Sequence, residues 1–362
     1  MHVCHVSDFI GGGAKMACVR LMDSLEKKHY KQTLLTPKDI KTILPVKLRY
    51  IFPFDLLVFF HSLFLFKKLK PDLIHLHNFK LFTFSIVLSA KLLRIPVVFS
   101  VYDYFIFCSF SIPFKRRGIV SFLVGIIEPI RKLLIKPFLG IIDSFIALSE
   151  NSREILIKGS IPTEKIYKIP LIFNSNQIGK IKSKPENIIL QIGWLVPWKG
   201  FRLAIEALPK VLEKSDMTLV HIGPWVDENY LNEIKALIEK KHLGSKVKLL
   251  GKRPYKEVKQ WYSKAEVVLV LETWQNMSPY VLLEAMLSGK TIVASKIGGI
   301  PEILGNSGIL FDPEGGELGD KIIFALKQPD EFGKKARERA LNIFDEKKNV
   351  NKIEKLYKDL VK

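Results

Sequence analysis

A chain of 362 residues, 48% hydrophobic and 25% charged, is about twice the common domain size and lies far from the composition of disordered proteins. Its formal net charge of +20 calls for an anionic partner, whether nucleic acid, anionic lipid or a phosphorylated small molecule, unless the composition is simply lysine-rich throughout. The three cysteines, Cys4, Cys18 and Cys108, have no paired or metal-ligand spacing, which excludes a disulfide scaffold and points to a reducing cytosol without a zinc site.

The opening residues 1–10 lack the pattern of a secretory signal and read as a first strand. A strand over 3–7, a glycine turn at 10–13 and a helix over 14–27, with Met16, Val19, Leu21 and Leu25 on its apolar positions, begin a βα alternation. Further strands are expected at 32–36, 73–77, 97–101 and 144–148. The most apolar runs, 56–66 and 119–127, are shorter than the ~18 residues that span a bilayer, so an integral helical membrane protein is not expected. Residues 175–187 are polar, contain Gly179 and Pro185, and have no periodicity, as expected of a linker. The pattern then restarts, with strands at 188–192, 217–222, 247–250, 267–271 and 291–294 and a helix over 201–212. The fold class is therefore α/β: a Rossmann-like domain over 1–174, a linker over 175–187 and a second Rossmann-like domain over 188–343, with ligands in a crevice at the carboxyl ends of the strands. A charged helix over 344–362, with Val350, Ile353 and Leu356 at helical spacing, is expected to cross back to the first domain.

Chemistry concentrates between Glu272 and Glu302. Ser278 and Pro279 read as a helix start, serine as cap and proline at the first helical position, with Gly289 as the stop. Such a helix start, with Tyr280 following, presents backbone N–H groups to anionic phosphates or sugar hydroxyls. Glu284 sits among Val281, Leu282, Leu283, Ala285 and Met286, where an unpaired carboxylate is costly, so a polar partner should meet it.

Residues 276–302, read with the segment GWLVPWKG at 193–200, resemble glycosyltransferase family 4, whose members adopt the GT-B fold of two facing Rossmann-like domains around a cleft. Lys199-Gly200, Glu284 and the run Gly298-Gly299-Ile300-Pro301-Glu302 match the family pattern. The resemblance implies a retaining, metal-independent transfer of a hexose from a nucleotide-diphosphate sugar, which is a co-substrate and not a bound cofactor. It implies that Lys199 neutralises the donor diphosphate and that Glu284 accepts hydrogen bonds from the nucleotide ribose. No protein nucleophile is visible; the resemblance implies a short-lived ion pair in which the donor phosphate takes the acceptor's proton, unlike the carboxylate pair of glycosidases. No Asp-x-Asp pair or histidine cluster suggests a metal.

Three positions depart from the pattern. Trp194 stands where the family has an arginine, beside Gly193; Asn276 replaces the first of two glutamates; and Tyr102, next to Asp103, replaces a histidine. Asn276 still hydrogen-bonds sugar hydroxyls but carries no charge. Lys15, after the glycine turn, and Lys252 and Arg253 are candidates for the missing cation. Gly12 and Gly13 let backbone approach the donor phosphates or the acceptor, and a plain flexible turn is an equal reading. His75 and His77 are expected on opposite sides of their strand, His77 at the cleft near Tyr102 and Asp103, with a hydrogen-bonded core role as its alternative.

Residues 104–142 interleave aromatic and aliphatic side chains with Lys115, Arg116, Arg117, Arg131, Lys132 and Lys136, and Pro113, Pro129 and Pro137 are expected to break them into short pieces; residues 48–70 have a similar character. Both read as a surface over anionic headgroups or as the first domain's core. The first 175 residues carry 25 Lys plus Arg against 12 Asp plus Glu. The expected partners are thus a nucleotide sugar, a glycan or lipid-linked acceptor and an anionic membrane surface, with a cytoplasmic protein peripheral on the inner face. Nucleic acid is not expected, because no reading module accompanies the charge. A catalytically silent sugar-nucleotide-binding partner protein on the same fold is the alternative.

Overall fold

Short runs of valine, isoleucine and leucine with no polar alternation cannot face water on either side, so they assemble as parallel strands covered by helices. The computed structural model describes residues 1–8, 12–45, 49, 52–107, 119–173 and 185–362, with backbone alone at 119–127 and 329–330. Residue 174, most of the expected linker (175–184 of 175–187) and the basic run 115–117 lie outside the described residues. The chain divides into two units, Met1–Phe173 with Glu346–Lys362, and Asn174–Asp345.

The first unit holds β1 (His2–Val6), β2 (Lys31–Leu35), β3 (Leu73–Leu76), β4 (Val97–Ser100), β5 (Ser144–Ala147) and β6 (Ile166–Lys168). They form one parallel sheet in the order β2-β1-β3-β4-β5-β6. The helix Gly12–Glu26 and the final helix Glu346–Val361 cover one face, where Leu21, Leu25, Val350, Ile353, Leu356 and Tyr357 pack with Val3, Leu73, Val98 and Ile146. Polar ties hold the final helix in place: Ser24 Oγ donates to Glu346, and Lys28 and Tyr30 donate to Glu354. The Lys28 hydrogen bond and the others around it hold the Glu354 carboxyl at a pKa of about 2.

The second unit holds β7 (Ile188–Ile192), β8 (Thr218–Ile222), β9 (Val247–Leu249), β10 (Ala265–Val270), β11 (Thr291–Ser295) and β12 (Ile309–Phe311), again parallel, in the order β12-β11-β10-β7-β8-β9. Phe201, Ile205 and Leu208 of the helix Phe201–Leu212 pack with Leu219, Leu269 and Val293 in its core. In each sheet the strand order reverses once, between β1 and β3 in the first and between β7 and β10 in the second. Crevices for ligands form at the carboxyl ends of such neighbouring strands.

Three local expectations change. The helix Gly12–Glu26 takes in Gly13, which the sequence placed in a turn. The helix Ile119–Gly140 runs through both Pro129 and Pro137, which do not divide it. Tyr104, Phe105 and Ile106 are buried, so the start of the basic apolar stretch is core.

Candidate functional site

The loop after β7 and the loop after β10 meet at the second unit's reversal point. The short 3-10 turn Pro197–Lys199 is fixed from both sides: Gln191 Nε2, at the end of β7, donates to the Lys199 carbonyl at 2.6 Å, and Thr273 N–H donates to the Trp198 carbonyl at 3.0 Å. The Lys199 ammonium then reaches Glu272, the second residue after β10. Asn276 Nδ2 donates to the same carboxylate oxygen, Glu272 Oε1, at 3.1 Å, while Asn276 Oδ1 accepts from the Ser278 N–H at 3.2 Å. Glu272 thus gathers two of the sequence-derived site residues. It was not foreseen as a site residue itself, and no motif marks it; its place two residues past the end of a buried strand at a reversal point is the signal that could have found it.

The second oxygen of Glu272 is buried without a hydrogen-bond partner, as are Gln191 Oε1, Ser278 Oγ and Ser295 Oγ. Buried polar atoms are rarely left unpaired, so four of them at or beyond the carboxyl ends of β7, β10 and β11 mark a place suited to a hydrogen-bonding ligand. Ser278 does not cap the next helix. The helix is Tyr280–Leu287, Pro279 occupies the cap position, and no side chain bonds there. Glu284 is half-buried on that helix and meets the polar partner its surroundings demand, the Tyr262 hydroxyl at 3.5 Å. Burial, with Glu284 beside it, pushes the Tyr262 phenol well above its ordinary pKa. Gly298 and Gly299 close on Asn276, whose carbonyl accepts from the Gly299 N–H at 2.8 Å.

Trp194 and the Lys252–Arg253 pair are exposed, and Arg253 lies 4.0 Å from Glu257. Gly193 sits at the end of β7, its N–H bonded to the Ile222 carbonyl at 2.9 Å. In the first unit Gly12, Gly13 and Lys15 are exposed at the start of the first helix.

At the first unit's reversal point the structure departs most from expectation. His75 and His77 do not face opposite sides. Residues two apart on a strand share a face, and the two rings stack with centroids 4.2 Å apart. His5 of β1, paired in register with His75, joins them, so the three ligating nitrogens lie within 4.8 Å of one another and a histidine cluster exists that spacing alone did not reveal. Each of the six ring nitrogens has a hydrogen-bond partner. His5 bonds His77 at 3.0 Å and Gln32 at 3.1 Å; His75 bonds Tyr357 at 2.5 Å and Ser100 at 2.8 Å; and His77 bonds Tyr102 at 3.2 Å. Stacked rings do not aim their in-plane lone pairs at one point. His5 and His77 thus form a hydrogen-bonded chain from Gln32 to Tyr102, with His75 stacked beside it and bonded separately to Tyr357 and Ser100, an arrangement that fits a metal centre poorly.

Burial lowers the pKa of all three histidines, His5 to about 4, and each is neutral at pH 7. Beside them, Asp8 is 3% exposed and its pKa is raised to about 6 by burial, partly offset by Lys80. Lys80 itself pairs with Asp103 at 2.6 Å. The two kinds of shift act oppositely on stability. Lowered histidine values stabilise the fold fully above pH 6.5, and that contribution is lost as pH falls toward 4. A raised carboxyl value stabilises below the ordinary value near 4, and its contribution is lost as pH rises through about 6. Asp8→Asn is therefore expected to raise the melting temperature at pH 8 and to leave it nearly unchanged at pH 4. Equal shifts at both pH values would contradict a buried, ionising Asp8.

Two family models match the chain: Glycosyltransferase Family 4 over residues 11–175 and Glycosyl transferases group 1 over residues 174–342. Together they run through nearly the whole chain. The protein belongs to glycosyltransferase family 4. Its relatives include an uncharacterised glycosyltransferase of Methanocaldococcus jannaschii, 34% identical over 33% of this chain and 30% of that one. They also include N-acetyl-alpha-D-glucosaminyl L-malate synthase of Bacillus anthracis, 28% identical over 50% of this chain and 47% of that one. The chain spans about a third to a half of the length of these relatives. Among solved structures, Anabaena Alr3699/HepE in complex with UDP and glucose superimposes with a TM-score of 0.76 at 20% identity, covering 99% of this chain and 100% of that one. Sucrose-phosphate synthase of Thermosynechococcus elongatus gives 0.78 at 18% identity, covering 99% of each. This family member has the GT-B fold.

Proposed function

We propose that the protein is a retaining, metal-independent glycosyltransferase that moves a hexose from a nucleotide-diphosphate sugar to a glycan or lipid-linked acceptor in cell-envelope or polysaccharide synthesis. The observation that carries this reading is the convergence of Lys199 and Asn276 on Glu272 at the reversal point of the second sheet, where unpaired polar atoms collect. A departing diphosphate gains negative charge as the glycosidic bond breaks, and a fixed ammonium beside it lowers that barrier. Ser278, Pro279 and Tyr280 bring the start of a helix to the same loop, Glu284 receives the ribose, and Gly193, Trp194, Lys252 and Arg253 border the donor. Gly12, Gly13 and Lys15 of the first unit serve the phosphates, with His77, Tyr102 and Asp103 on the acceptor side.

UDP and UDP-glucose are the first donors to test, because the Anabaena neighbour holds UDP and glucose. A donor present at 100 times its dissociation constant adds about 2.7 kcal/mol of stability, a clear melting shift. Transfer is expected to survive a chelator; loss of activity in EDTA, restored by a divalent ion, would refute metal independence. The pairing of Lys199 with Glu272 favours a second reading, a catalytically silent sugar-nucleotide-binding partner protein. Donor binding without hydrolysis or transfer under any acceptor would establish it.

A place on an anionic membrane surface at the inner face of a cytoplasmic membrane has its own support in the first unit. No helix among the described residues is long and apolar enough to cross a membrane. The helix Leu56–Leu69 nevertheless exposes Leu57, Phe60 and Phe64, and the helix Ile119–Gly140 exposes Ile130, Leu133 and Leu134 beside Lys132 and Lys136. Apolar side chains flanked by cations suit an interfacial helix. Sedimentation with anionic vesicles at low salt is expected for the native chain and to fall at least fivefold for the pair Phe60→Ser and Leu133→Ser. Equal sedimentation with neutral vesicles would remove the membrane from the proposal.

A further inference from the structure

The loops that follow β7, β8 and β9 are tied together by backbone hydrogen bonds at the carboxyl edge of the second sheet. Gly193 N–H donates to the Ile222 carbonyl at 2.9 Å, Leu195 N–H to the Pro224 carbonyl at 3.0 Å, and Gly223 N–H to the Gly251 carbonyl at 3.0 Å. The loop after β8 is also held at its far end, where Asp227 caps the helix Glu228–Lys240 by accepting from the Tyr230 N–H at 3.1 Å. On this fixed loop Trp225 is 43% exposed, and its six-membered ring rests against Gly251, where even an added Cβ would stand 3.5 Å from it. The exposed cations Lys252 and Arg253 follow Gly251 directly. A large rigid ring left open to solvent beside cations, at the edge of a sheet where ligands collect, suits an aromatic anion.

Two connections place this ring at the far end of a nucleotide whose phosphates lie at Lys199. The first is strand order. β8 lies one strand from β7 and two from β10, about 10 Å from the strand that leads to Glu272. The loops on the opposite side, residues 296–299 after β11 and 312–317 after β12, contain no aromatic residue. The second is the helix Tyr255–Lys264, which starts two positions after Arg253 and brings the Tyr262 hydroxyl to Glu284 at 3.5 Å. A helix rise of about 10 Å thus joins the group that meets Glu284 to the loop against which Trp225 rests. Trp194, 37% exposed, stands at the end of β7, one strand nearer the Lys199 turn and so on the diphosphate side.

We infer that Trp225 is the surface on which the nucleobase of the donor stacks, so that it binds the nucleoside part and not the sugar. The inference rests on the proposed nucleotide-diphosphate donor. Because every base has a π-face, such stacking favours nucleotides over pyrophosphate without fixing which base is taken.

Calorimetric titration with UDP and with pyrophosphate, which lacks both base and ribose, tests it. The native chain is expected to bind UDP at least about tenfold more tightly than pyrophosphate. Trp225→Ala is expected to weaken UDP about tenfold and to leave pyrophosphate within about twofold, while Trp225→Phe, which keeps a ring, recovers most of the loss. Both variants should melt close to the native chain, since substitutions at exposed positions change stability little. UDP should also quench native tryptophan fluorescence, and the quenching should shrink in Trp225→Phe. Unchanged UDP affinity in Trp225→Ala, or an equal fall for UDP and pyrophosphate, overturns the inference while leaving a nucleotide donor in place. Loss of UDP affinity in Trp194→Ala with none in Trp225→Ala moves the base to the end of β7 and overturns it as well. A native chain that binds none of UDP, ADP and GDP refutes the donor reading itself, and the stacking surface with it.

Discussion

Lys199→Ala and Glu272→Gln are expected to change UDP affinity in opposite directions. The Lys199 ammonium is held by Glu272, whose other carboxylate oxygen is one of the unpaired polar atoms at the reversal point. An anionic diphosphate competes with that carboxylate for the same charge and is repelled by it, and both effects are strong where the carboxylate is only 2% exposed. Removing the lysine should weaken UDP by ten- to a hundredfold and, because charge grows on the diphosphate during transfer, lower turnover further, by about a hundred- to a thousandfold in total. Removing only the charge of Glu272 leaves an amide that still accepts from Asn276, and should tighten UDP several-fold. Calorimetric titration of both variants decides the matter. Weakening in both would mean that the pair is a structural link and that Lys199 does not meet the phosphates.

The contrast between Lys199 and Glu272 shows where sequence reasoning runs out. Lys199 was visible because Lys199-Gly200 matches the pattern of glycosyltransferase family 4; alone it would read as a solvated loop lysine. Glu272 carries no motif; its role depends on β10 lying beside β7 although residues 193–264 separate them, and strand order is not written in local periodicity. The histidine chain is hidden for the same reason. His5 and His77 meet only because β1 and β3 are neighbours, and Tyr357 reaches His75 from the other end of the chain. Strands with continuous apolar runs were legible to within one or two residues in both units, because burial on two faces leaves no other pattern. Of the three-residue strands, β9 was expected at 247–250, while β6 (Ile166–Lys168) and β12 (Ile309–Phe311) were not. Pro129 and Pro137 misled in the opposite sense: their spacing reads as a double break, yet the helix Ile119–Gly140 continues through both.

Gly298→Ala is expected to cost roughly 2–4 kcal/mol of stability, a size typical of backbone clash combined with strain. Gly298 has φ +60°, a conformation disfavoured for any residue with a side chain, and an added Cβ would lie 2.3 Å from the Asn276 carbonyl oxygen and 2.6 Å from its nitrogen. Neither contact can relax by rotating a side chain, because both are with backbone. The displaced group is the residue that bridges Glu272 and Ser278, so the loop that holds Lys199's partner should move with it. Gly193→Ala is the matched control: φ is again positive, at +147°, but nothing lies within 4 Å of the added carbon, and only strain of about 1 kcal/mol is expected. Denaturant melts should therefore separate the two variants by at least 1 kcal/mol, and UDP affinity should fall in Gly298→Ala even where the protein remains folded. Equal destabilisation would mean that positive φ alone sets both glycines. The close approach of Gly298 to Asn276 would then have no part in holding the site.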